Sequence, residues 1–114
     1  MFHLFRRRPP PTAQQHLTQQ LQERAHRIFS RQDNMGFSGT VSDEYREYAG
    51  EAYYTLMRLV ADHPQEDGEA PRSYAARLRP AFEQLRDRLY ESSSDEDGAG
   101  VGSVTDALSL LDRL

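Results

Sequence analysis

Cysteine is missing from the chain, and with it go disulfides, thiolate metal sites and any thiol nucleophile. Lysine is missing too: all fourteen basic residues are arginine, which favours forked, planar hydrogen bonding over mobile ammonium groups, although GC-rich coding also explains the bias. No apolar stretch approaches the length that spans a bilayer, and the run from Phe2 to Phe5 is too short for the core of a signal peptide. A cytoplasmic or other soluble compartment is therefore expected. Strand signals are scarce: only the segment GFSGTVS is glycine-flanked and partly β-prone, and one such segment cannot make a sheet. No internal repeat is visible.

Fingerprints of chemistry are equally scarce. The chain has no Gly-x-Ser-x-Gly elbow, phosphate loop or dinucleotide-binding glycine pattern, and no cofactor is implied. The glycines of GAGVG follow Asp95, Glu96 and Asp97, which repel phosphate, and no strand precedes them. Glu23-x-x-His26 has the spacing used in carboxylate-bridged di-metal bundles, but it occurs once and points away from the apolar side of its own helix, so no metal site is expected. His3, His16 and His63 read as surface side chains, and Glu44, Glu47 and Glu51 as a solvated face. A body this small has little room for a partly desolvated pocket, and the expectation is that the protein is not an enzyme.

What remains is the arrangement of a few apolar residues. Leu, Ile, Val and Phe make 22 of 114 residues and mean hydropathy is -0.83, near the composition at which disorder competes with folding. These residues fall into helical registers, and the length allows one domain. Thr12 with Gln15 forms a capping box after three prolines, so a helix is expected over about 12–32, with Leu17, Leu21 and Ile28 on one side and Ala25 and Phe29 at its edge. Arg24 interrupts that stripe and must snorkel, pair with an acid or reach a partner.

A second helix is expected over about 42–62. Ser42 can cap it, and Tyr45, Tyr48, Ala49, Ala52, Tyr53, Leu56, Leu59 and Val60 form its broad core face. A weaker stripe of Gly50, Tyr54, Met57 and Ala61 runs along roughly the opposite side, so this helix is either central in the molecule or shared with another chain, a homodimer. The segment DHPQEDGEAP reads as an exposed loop. A third helix over about 71–91 carries Tyr74, Leu78, Ala81, Phe82, Leu85 and Leu89, with a kink or restart at Pro80.

The two ends carry the functional reading. Residues 1–11 form a basic, proline-rich arm; residues 92–102, SSSDEDGAGVG, read as an acidic flexible linker; residues 103–114 read as a C-terminal amphipathic helix. The fold class is therefore all-α: a small three-helix body over 12–91, or a four-helix bundle if the last helix folds back, with a flexible N-terminal arm and an acidic C-terminal tether. The serines ahead of the acids are also potential phosphate acceptors.

Two sticky ends and a second helix face point to a non-enzymatic adaptor or regulator that binds other proteins through Phe2, Phe5, Tyr54, Met57, Leu108, Leu111 and Leu114. Charge supports an alternative. Residues 1–31 hold six arginines against Glu23 alone, a balance of +5, while residues 32–114 hold eight against seventeen acids, a balance of -9. Arg6, Arg7, Arg8, Arg24, Arg27 and Arg31 would then bind nucleic acid or an acidic membrane surface. A secretion chaperone or an inhibitor of another enzyme is a third reading.

Overall fold

The structure, a computed structural model, describes residues 10–30, 43–92 and 95–114, and within 95–97 the backbone only. The described residues form four α-helices and no strand: α1 (Ala13–Phe29), α2 (Asp43–Asp62), α3 (Pro71–Glu91) and α4 (Asp95–Asp112). The segment GFSGTVS and the cap Ser42 lie outside the described residues.

Local chemistry sets the helix ends. The Thr12 hydroxyl accepts from the Gln15 amide at 3.1 Å while the Gln15 side chain accepts from the Thr12 amide at 2.9 Å, so the two groups occupy donors that would otherwise be orphaned. Asp43 and Glu44 occupy the first turn of α2, where the helix dipole favours negative charge. Pro71 opens α3, its missing N–H costing nothing at that position.

α3 runs through Pro80 as one helix, without the restart expected from sequence. Tyr74, Leu78, Phe82 and Leu85 are buried on both sides of that point, and their burial holds the register. Pro80 and Ala76, whose carbonyl loses its amide partner, lie on the exposed side where water can bond it.

The largest difference from the sequence reading is α4. Residues 95–102 are not a flexible tether but the first two turns of a helix that continues to Asp112. Ala99 and Gly100 are buried, and a Cβ placed on Gly100 would sit 3.0 Å from Leu89 Cδ1 and 3.6 Å from the Ala52 Cβ. Small residues that look like linker composition are here the means by which α4 approaches α2 and α3. Less than one turn further on, the buried Ser103 hydroxyl donates to the Ala49 carbonyl at 2.7 Å.

One core joins all four helices. It takes Leu17, Leu21, Ala25 and Ile28 from α1, Ala49, Tyr53, Leu56 and Val60 from α2, Tyr74, Leu78, Phe82 and Leu85 from α3, and Val104, Ala107, Leu108 and Leu111 from α4. α1 packs along α2, and α4 packs along both α2 and α3, so the helices lie in the order α1, α2, α4, α3. α2 and α4 are thus the two inner helices, while Tyr54, Met57 and Ala61 of the second α2 stripe stay at or near the surface.

The connection from α2 to α3 is tied down by polar contacts. The Tyr74 hydroxyl donates to the His63 carbonyl at 2.7 Å, and Arg77 donates to the Pro64 carbonyl and to both Glu69 carboxylate oxygens. Gly68 supplies the positive φ of 76° that the turn requires. Gln14 and Gln65 exchange a reciprocal pair, each backbone amide donating to the other's side-chain carbonyl at 2.9–3.0 Å, which fastens the start of α1 to this loop. No helix among the described residues is long and apolar enough to cross a membrane.

Candidate functional site

Arg24, which broke the apolar stripe of α1, lies against α4. Its Nε donates to Asp106 Oδ2 at 3.0 Å, and the same oxygen accepts from the Tyr53 hydroxyl at 2.6 Å. One carboxylate thus joins α1, α2 and α4. Of the arginines assigned to anion binding, Arg24 is committed to this internal pair, Arg27 is exposed on α1, and Arg6, Arg7, Arg8 and Arg31 lie outside the described residues.

The residues assigned to partner binding separate in the same way. Leu108 and Leu111 are 7% and 2% exposed and belong to the core, because α4 packs between α2 and α3 instead of waiting at the end of a tether. They leave the candidate surface. Met57 and Leu114 are partly buried against the core, and Phe2 and Phe5 lie outside the described residues. Tyr54 stays 46% exposed.

Tyr54 has a neighbour that sequence reasoning left at the margin. Phe29, the last residue of α1, is 44% exposed and stacks on the Tyr54 ring with centroids 5.9 Å apart. Its ring lies over Gly50, where a Cβ would come within 2.5 Å of two ring carbons. The glycine is a notch for the ring. The signals for this contact were the edge position of Phe29 on the first helix and a glycine one turn before Tyr54 on the second.

Beside the stacked pair lies a shallow, open groove of about 680 Å³ between α1 and α2, lined by Thr18, Glu51, Tyr54, Thr55, Met57, Arg58 and Ala61. A smaller cleft of about 150 Å³ on the other side of Glu51 and Thr55 is bounded by Tyr48, Leu85, Leu89 and Gly100. Along the outer side of α2, Glu44, Glu47, Glu51, Tyr54, Arg58 and Ala61 repeat at three-and-four spacing, so they form one stripe with an acidic half and a largely apolar half. Among the described residues no arginine pairs with Glu47 or Glu51.

The remaining titratable groups have structural surroundings. Arg77 and the Glu66 amide both donate to Glu69 and hold its carboxyl down at about 2; burial pushes the Tyr74 phenol up. Glu23 and His26 are exposed on α1, and no cluster of metal-binding side chains occurs among the described residues. Comparison with protein-family models, curated proteins and solved structures finds no match to this chain.

Proposed function

We propose that this chain is a non-enzymatic adaptor or regulator, a four-helix bundle whose α1–α2 face docks on another protein. The observation that carries the reading is the adjoining exposure of Phe29 and Tyr54 at the edge of an open groove. They are two of the three large hydrophobic side chains left exposed among the described residues, and they touch. Aromatic anchors flanked by arginine, here Arg58, are the composition on which protein interfaces concentrate binding energy. Phe2 and Phe5 remain candidate contacts on the same reading.

The test is capture of partners from the native host by the full chain and by its Tyr54→Arg variant, matched for melting temperature. Loss of a stoichiometric protein partner with Tyr54→Arg is the expected result; equal retention, or no partner for either bait, removes the α1–α2 face as the docking surface. The anion-binding alternative, which rests on Arg6, Arg7, Arg8, Arg27 and Arg31, predicts capture of nucleic acid or lipid that collapses between 0.05 and about 0.5 M salt, whereas apolar docking persists.

A further inference from the structure

The outer stripe of α2 and the N-terminal arm have matching gradients. From its C-terminal end toward its N-terminal end, the stripe passes Ala61, Arg58 and Tyr54, with Met57 beside them, and then Glu51, Glu47 and Glu44. Reading forward, the arm passes Phe2, Leu4 and Phe5 and then Arg6, Arg7 and Arg8. We infer that the arm of one copy of this chain docks along the α1–α2 groove of a second copy, with Phe2 and Phe5 against Tyr54 and Met57 and its arginines along Glu51, Glu47 and Glu44. This rests on the α1–α2 face being a protein-binding surface and names its occupant.

Lengths agree. At 1.5 Å per residue, Ala61 to Glu44 spans about 25 Å along α2. Residues 2–8, extended at about 3.3 Å each, span about 20 Å, and side chains supply the remainder.

The same arithmetic separates a second copy from self-docking. The start of α1 lies at the C-terminal end of α2, because the Gln14 side chain donates to the Val60 carbonyl and its backbone amide to Gln65. Four residues from Thr12 back to Arg8 reach at most about 14 Å. Glu44 lies about 24 Å from Val60 along the helix, so Arg8 cannot meet Glu44 of its own chain. An arm folded back on its own groove would run the other way: at full stretch Arg8 lies about 14 Å from the start of α1, level with Glu51, and the phenylalanines fall beyond it toward Glu44, away from Tyr54 and Met57. That register leaves Phe2 and Phe5 without Tyr54 and Met57, and reach forbids the matched one within a single chain. Pro10 and Pro11, both exposed, fix φ at the arm's exit and restrict a sharp reversal.

Because the chain has no cysteine, engineered pairs report without background. Full-length Arg8→Cys/Glu44→Cys is expected to give disulfide-linked dimers under mild oxidation. Arg8→Cys/Glu51→Cys tests the self-docked register and is expected to give no intrachain link. In parallel, a fluorescent peptide of residues 1–11 is titrated with the full-length chain; binding should weaken at least tenfold with Glu47→Arg/Glu51→Arg. A peptide with Arg6, Arg7 and Arg8 changed to glutamate should recover binding to that variant. The melting temperature of the variant controls for folding. An intrachain link through Glu51→Cys, no dimer through Glu44→Cys, or peptide binding indifferent to the charge reversal would overturn the inference. A docking face that loses its host partner with Tyr54→Arg survives any of these results, so failure here is distinct from failure of the reading on which it rests.

Discussion

Gly50→Ala should destabilise the protein even though alanine is the better helix former. In an exposed helix interior the exchange gains about 1 kcal/mol. Here the new methyl would meet Cε2 and Cζ of Phe29 at 2.5 Å, and the three nearest atoms all belong to that ring. The ring has to swing out. Full burial of a phenylalanine is worth about 1.5–3 kcal/mol, and Phe29 is a little over half buried, so its displacement costs about 1–1.5 kcal/mol. Losing the stack on Tyr54 adds about 0.5–1 kcal/mol. The net effect is a loss of about 1 kcal/mol. With the ring removed by Phe29→Ala, the same glycine replacement should instead stabilise by about 1 kcal/mol, giving a coupling of about 2 kcal/mol in a double-mutant cycle. Urea denaturation of the four proteins measures it. Stabilisation of the parent and of Phe29→Ala by equal amounts would refute the notch.

Other outcomes test the remaining contacts. Gly102→Ala, with nothing within 4 Å of the added carbon, should stabilise by about 0.5–1 kcal/mol if residues 95–102 are helical, whereas Gly100→Val, facing Leu89, should cost about 1–3 kcal/mol; thermal melts of both separate a packed helix from a tether. Asp106→Ala removes both the 2.6 Å contact from the Tyr53 hydroxyl and the pair with Arg24 and should cost about 2 kcal/mol in urea titrations, with Tyr53→Phe costing about 1 kcal/mol. Glu69 is held at about 2 against an ordinary 4.5, so its contribution is complete above pH 4.5 and is lost as pH falls toward 2; Glu69→Gln should flatten the melting temperature against pH across that window.

Helices declared themselves where apolar spacing and end signals coincided. Thr12 and Gln15 announced the start of α1, Pro71 that of α3, and the stripes of Leu17 and Leu21 or Leu78 and Phe82 are the buried faces. Composition misled at α4: glycine and acid suggest an unpacked chain, yet Ala99 and Gly100 are small because neighbouring helices come close, and acids at a helix N-terminus suit the dipole. That error carried Leu108 and Leu111 from the core to the surface. The Tyr54 surface was legible as a second stripe, but its stacking partner was not, because pairing Phe29 with Gly50 requires knowing how α1 and α2 run past each other. Arg24 shows the same limit: its need for a partner was readable, while Asp106, 82 residues away, was not.

The placement of α4 between α2 and α3 also constrains how the chain matures. α4, one of the two inner helices, is synthesised after the three helices it packs with, and contacts such as Ser103 to Ala49 span 54 residues. A nascent chain holding only the first three helices exposes the sides of α2 and α3 that α4 will cover, and α2 and α3 make little contact with each other without it. Packing of the other helices is therefore completed only once α4 has been made, and a chain truncated before α4 presents an open apolar cleft for aggregation or for quality control to recognise.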